Sequence, residues 1–236
     1  MLLCSAAFAD EALLKPLAVP AAPATSATPP DTWHITGLPR QTKPFTRFAL
    51  VDVDGKPALR VEAESSYGNL VHPVANAAPA LKLSWSWRVD QLIDAADLHT
   101  RDGDDTAIKV CVFFDEPLER VPFVERQILR AARSNAVEPI PAATVCYVWD
   151  AHMPAGSKID SAFTHRLRYK ILQSGPAHLR EWVKERRDVA ADFTELFGTE
   201  SAEVPPVIGI AIGADADNTK SRSLAYVSEL VLAPSP

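Results

Sequence analysis

The chain has 236 residues, 47% hydrophobic and 23% charged, which is long enough to close a core without staples and too apolar for global disorder. Its 24 basic and 30 acidic side chains leave a net charge of −6, which argues against a sequence-independent grip on nucleic acid or anionic lipid. The best apolar run, 204–214, contains two prolines and falls short of the roughly 20 residues that span a bilayer as a helix.

Residues 1–10 read MLLCSAAFAD. Small apolar residues ending in Ala7-Phe8-Ala9 have the form of a secretory signal peptide's tail and cleavage site, which predicts a periplasmic or secreted protein. A lipidated Cys4 is disfavoured by Leu3, where a small residue is wanted. Pro16, Pro20, Pro23, Pro29 and Pro30 follow among alanines. That density predicts a semi-extended linker over 10–30, with 1–9 as the leader remnant and one folded domain over 31–236.

From Trp33 onward the dominant period is two. Residues 45–51 and 58–64 flank Asp54-Gly55, the signature of a hairpin turn that needs positive φ. Within 81–89, Leu81, Leu83, Trp85, Trp87 and Val89 share one face. Residues 107–114 and 143–149 are nearly continuous apolar runs, as central strands covered on both sides would be. Strands are also expected over 163–172, 179–184, 207–213 and 224–232. Two short helices are expected, over 122–133 and over 188–197, the second with Asp188 as N-cap and Gly198 just past its end. The set predicts a mainly all-β fold: an antiparallel sandwich or jelly roll with two short helices.

Several motifs recur in order: Trp85-x-Trp87-Arg88, Gly103-Asp104-Asp105, Tyr147-x-Trp149, Trp182, Arg187-Asp188-Val189, Asp192-Phe193, Phe197-Gly198 and Asp215-x-Asp217-Asn218-Thr219. Together they resemble the exported bacterial family known as domain of unknown function 3047, from about Trp33 to Leu232. The resemblance implies an exported β-sandwich and no established activity. The strand order is also similar to that of galactose-binding jelly rolls, whose last strand carries a run like Ala225-Tyr226-Val227; architecture of this kind does not fix function.

Two loops crowd oxygen donors before strands: Asp102-Gly103-Asp104-Asp105 and Asp215-Ala216-Asp217-Asn218-Thr219. Short carboxylates in turns most often bind nearby backbone N–H groups, and that reading is preferred. The alternative is a hard cation such as Ca²⁺, held by Asp104, Asp105, Asp215 and Asp217 if the loops meet. Arg88, Arg101 or Arg222 can neutralise the cluster without a metal. Flat aromatics suit sugar faces, but the register of Trp85 and Trp87 with Leu81, Leu83 and Val89 predicts core, which leaves Trp182 as the better cleft candidate. Cys111 and Cys146 allow a bridge in an oxidising compartment, yet both sit inside apolar runs, and free thiols are the expectation. The six histidines show no zinc-binding spacing, and no nucleophile elbow, phosphate loop or dinucleotide fingerprint is present.

The expected function is a non-catalytic binding module for a polar small molecule or glycan, with Arg88, Asp104, Asp105, Trp182, Asp217, Asn218 and Thr219 as ligand-binding residues. Two alternatives stand beside it: a cell-envelope carbohydrate-active enzyme using paired aspartates, and a structural envelope protein that docks partners through an exposed sheet face or edge.

Overall fold

A computed structural model describes residues 13, 14, 16, 17, 28–134, 136 and 140–235. The leader-like segment, with Cys4, lies outside the described residues. Two sheets face each other. The first has seven strands in the order β1 (His34–Thr36), β4 (Tyr67–Ala77), β11 (Val207–Asp215), β6 (Thr106–Phe114), β7 (Ala143–Asp150), β9 (Thr164–Ser174) and β8 (Lys158–Ser161). The second has five, ordered β10 (Val183–Asp188), β5 (Leu81–Gln91), β12 (Arg222–Pro234), β3 (Lys56–Glu64) and β2 (Arg47–Val53). Helices α1 (Phe123–Ser134) and α2 (Val189–Phe197) complete the mainly β architecture. No helix among the described residues is long and apolar enough to cross a membrane.

The strand alternation converts directly into layers. Leu59, Val61 and Ala63 of β3 and Leu81, Leu83, Trp85, Trp87 and Val89 of β5 turn inward against Ile108, Val110 and Val112 of β6 and Val145, Tyr147 and Trp149 of β7. Aromatic rings knit this layer. Trp85 lies 5.3 Å from both Trp87 and Tyr147, and Phe193 of α2 sits 4.7 Å from Phe114. β6 and β7 occupy the middle of the larger sheet, and β7 is buried along its whole length, which explains its unbroken apolar run. The Asp54-Gly55 turn has positive φ at both residues (56° and 79°), the geometry of a two-residue hairpin loop.

Several local features depart from the expectations, and strands β1, β4 and β8 fall where none was expected. The β7–β9 pair is parallel within sheets that are otherwise antiparallel. The strand expected over 179–184 is displaced to Val183–Asp188, because Leu179 and Glu181 close turns onto Pro176 and His178 and Arg180 takes φ +64°. Cys111 and Cys146 are bonded rather than free: the β6–β7 register makes them direct partners with Cα atoms 4.0 Å apart, so adjacency across the ladder supplies what sequence separation did not reveal. Near the N-terminus, the Leu13 N–H donates to the Leu232 carbonyl and Leu14 is buried in the core.

Candidate functional site

The two acidic loops meet, and Asp104, Asp105, Asp215 and Asp217 each find a protein partner there. Asp105 accepts from the Asn218 N–H (3.2 Å), the Thr219 N–H (2.7 Å) and the Thr219 hydroxyl (2.5 Å), while the Asn218 amide donates to the Asp104 carbonyl. Gly103 allows this path, because a Cβ there would stand 2.8 Å from the Asp97 backbone. Asp104 accepts from Tyr169 Oη (2.9 Å) and Ser161 Oγ (2.8 Å). Asp215 accepts from the Thr106 N–H (2.8 Å) and from Lys109 Nζ (2.6 Å), and Asp217 pairs with Lys43. Burial pushes the Asp104 and Asp105 carboxyls upward despite these bonds. Burial also acts to lower Lys109, but Asp215 beside it more than offsets that and holds the ammonium charged. Among the described residues, no group of three or more His, Cys, Asp or Glu is placed to hold a metal ion.

The cations that neutralise this cluster are lysines rather than the expected arginines. Arg88 lies on β5, where it binds Asp90 (2.6 Å) and Asp54 (2.8 Å); Arg101 donates to the Ala162 carbonyl; Arg222 faces Glu62 and Glu64. Of the expected ligand-binding residues, then, Asp104, Asp105, Asp217, Asn218 and Thr219 come together, whereas Arg88 and Trp182 lie elsewhere. Lys109 was not among the expected site residues, because it reads as one polar residue inside an apolar strand.

A second closed network anchors α2. Asp192 accepts two bonds from Arg187 (2.8 and 2.5 Å), one from Lys170 (2.7 Å) and one from the fully buried Tyr147 (2.9 Å). Burial alone would raise Asp192; the bonds from Arg187, Lys170 and Tyr147 reverse that and hold it below the usual carboxylate range. Asp188 caps α2 by accepting from the Ala191 N–H.

An open site lies on the outer face of the five-stranded sheet. Alternation turns Lys82, Ser84 and Ser86 of β5, Lys184 and Arg186 of β10, and Val231 and Ala233 of β12 away from the core, and these residues line a cavity of ≈ 520 Å³. β12 carries a bulge here: Ser228 pairs with Ser86 and Val231 with Ser84, so three steps along β12 oppose two along β5. Glu229 sits in that bulge with φ +53°, a conformation that a residue with a Cβ seldom adopts. Its carboxylate lines the cavity and accepts from Ser86 Oγ (2.7 Å) and Lys56 Nζ (3.0 Å), which hold it below its ordinary range. Lys56 also stands 4.7 Å over the half-buried Trp182 ring, so this tryptophan belongs to the rim of the same region. Strand pairing sets Glu185 opposite Trp85, on the inward face, where its carboxylate accepts from Gln173 (2.8 Å).

Comparison with known proteins places the chain. The family model described as "Protein of unknown function (DUF3047)" matches residues 31–231. The chain belongs to that family. No curated protein matches it. Among solved structures, this DUF3047 chain is similar to the xyloglucanase domain of NopAA, a type three effector from Sinorhizobium fredii in complex with cellobiose, at 9% identity and a TM-score of 0.43, covering 90% of this chain and 98% of that one. It is similar to Trichoderma harzianum endoglucanase 3 from family GH12 at 8% identity and a TM-score of 0.44, covering 88% and 92%. The Humicola grisea Cel12A catalytic domain in complex with a soaked thio cellotetraose gives 10% identity and a TM-score of 0.43, covering 93% and 99%.

Proposed function

We propose that this DUF3047 protein is an exported, non-catalytic binding module that takes a polar small molecule or a glycan segment on the outer face of its five-stranded sheet. The observation that carries this reading is the ≈ 520 Å³ cavity in which serine hydroxyls, a fixed carboxylate and an apolar edge of Val231, Ala233 and Pro234 converge. Ligand sites have this size and this mixture of a few placed polar groups beside apolar surface. The β12 bulge supports it, because bulges re-aim side chains beside sites and strained residues cluster there. Binding rather than hydrolysis is supported by the carboxylates: glycoside hydrolysis uses a pair flanking one bond, and of the two that line the cavity, Glu185 and Glu229, the first lies on the inward face of β10, bonded to Gln173. The Cys111–Cys146 bridge favours an oxidising compartment and so supports export.

A thermal-shift panel of neutral, cationic and anionic oligosaccharides tests this, run in parallel on Ser84→Trp, which fills the cavity floor. The expected result is at least one sugar that raises the wild-type melting temperature and leaves Ser84→Trp unmoved. A ligand at 100 times its dissociation constant stabilises by about 2.7 kcal/mol, well within detection. Equal shifts in both proteins would place the site elsewhere, and release of new reducing ends would show catalysis.

A further inference from the structure

We infer that the ligand of this groove is an anionic saccharide, a glycan bearing uronate carboxylates, read by Lys184 and Arg186. The inference rests on the outer-face groove being the binding site. Its starting point is an imbalance of charge. Elsewhere on the outer face of the five-stranded sheet the cations are paired: Arg47 and Arg60 with Glu62, Arg222 with Glu62 and Glu64, and Arg88 with Asp90 and Asp54. Around the cavity, Lys56 pairs with Glu229 and Lys82 with Asp188. Lys184 and Arg186 are the exceptions. Both are exposed and line the cavity, and neither side chain makes an ion pair or hydrogen bond at contact distance among the described residues, although the Lys184 charge acts at longer range on Glu229. In a chain of net charge −6, an Arg186 without an ion pair beside a Lys184 that shares Glu229 with Lys56 leaves an excess of positive charge on this cavity wall.

The placement of the other groups narrows the chemistry. Lys184 and Arg186 are two residues apart on edge strand β10, so they project from one face about 6.5 Å apart. Across β5, the β12 side of the groove lies roughly 9–10 Å away, at two strand spacings. That side carries the Val231, Ala233 and Pro234 surface and the Glu229 carboxylate, with Ser84 and Ser86 on the strand between. A carboxylate on one wall disfavours a bare inorganic anion and favours a ligand that brings hydroxyl donors to it. A pyranose supplies those hydroxyls together with an apolar ring face for Val231 and Pro234. A carboxyl group on the same ring meets Arg186 in the planar, two-bond geometry that guanidinium favours, with Lys184 adding charge alongside. An acid on one side and donors on the other describe a uronate.

Isothermal titration calorimetry of the full chain at low salt tests this with four probes: trigalacturonate, trimannuronate, neutral cellotriose and sodium sulfate. One or both uronate trimers are expected to bind, more weakly as salt rises, and the double variant Lys184→Gln/Arg186→Gln is expected to lose about 10- to 100-fold in affinity, as removal of charge-assisted hydrogen bonds does. Both positions are exposed, so the variant should melt with the wild type. Cellotriose binding equally to wild type and double variant, but not to Ser84→Trp, would overturn the anionic assignment and keep the groove. Sulfate binding as tightly as the uronates would reduce the site to a bare anion contact and overturn the saccharide. Silence from all four probes would overturn the inference; the broader panel with Ser84→Trp then decides separately whether the groove itself stands.

Discussion

The acidic loop junction and the outer-face groove are built from the same kinds of polar residue, and they differ in what is left over. At the junction four buried aspartates are taken: Asp105 by the 218–219 turn, Asp104 by Tyr169 and Ser161, Asp215 by Lys109 and Thr106, Asp217 by Lys43. In the groove Lys184 and Arg186 make no contact ion pair, one carboxylate is held in a strained bulge, and the space between them is open. Buried polar groups that satisfy one another specify a fold. Exposed ones that face an open cavity without partners are what a ligand can complete. That difference is why we propose the groove, and not the junction, as the recognition surface.

The sharpest way to break that assignment is to cut the junction. Asp215→Ala leaves Lys109 buried and uncompensated, which costs about 3–5 kcal/mol and roughly 10 °C in melting temperature for a domain of this size. Asp192→Ala should do comparable damage by stranding Arg187 and leaving Lys170 with Glu195 alone. Urea unfolding checks both, and either variant melting with the wild type would contradict the architectural role. Next comes the disulfide. It closes a loop across a sequence separation of 35, so Cys146→Ala paired with Cys111→Ala is expected to cost about 3–4 kcal/mol in urea unfolding.

Acid sharpens the contrast among the carboxylates. Asp192 is held low, so its contribution is complete above the ordinary carboxylate range and disappears as pH falls through its own depressed value, below about pH 4. Asp104 and Asp105 are raised, so the folded state binds their protons more tightly than the unfolded chain and their effect runs the other way, with stability gained as pH falls toward the ordinary range. The stability gap between wild type and Asp192→Asn should therefore narrow on going from pH 7 to pH 3. A gap that holds constant would show that Asp192 carries no special charge interaction. The smallest effects belong to the groove: Lys184→Gln and Arg186→Gln should each change stability by less than about 0.5 kcal/mol while weakening ligand capture.

Most of the architecture was legible because it is written in alternation. Inward Trp85 and Trp87, the buried runs of β6 and β7, the Asp54-Gly55 hairpin and the Asp188-capped helix all follow from side-chain period and cap chemistry. β4 was not legible. Gly68 and Pro73 interrupt its pattern, and only the structure shows Pro73 lying beyond the reach of β1, opposite Gly209 beside a bulge. The sequence marked both acidic loops but left their meeting as a condition; their saturation was not readable either, because Lys43, Lys109 and Tyr169 come from distant segments. The motifs that mark the family went largely into structure: Arg187, Asp192 and Tyr147 hold α2, and Phe193 and Phe197 stack. The groove residues left no signal, since Ser84, Ser86, Lys184 and Arg186 read as the solvated half of ordinary strands, and the Glu229 bulge depends on a register shift that no local pattern announces.

Whether recognition happens on the sheet face or at the loop junction is decided by mapping amide chemical shifts while trigalacturonate is titrated into isotope-labelled protein. The perturbed amides are expected to cluster at Lys82, Ser84, Ser86, Lys184, Arg186 and Glu229. Perturbations centred on Asp104, Asp105, Asn218 and Thr219, with the sheet face silent, would contradict recognition on the sheet face.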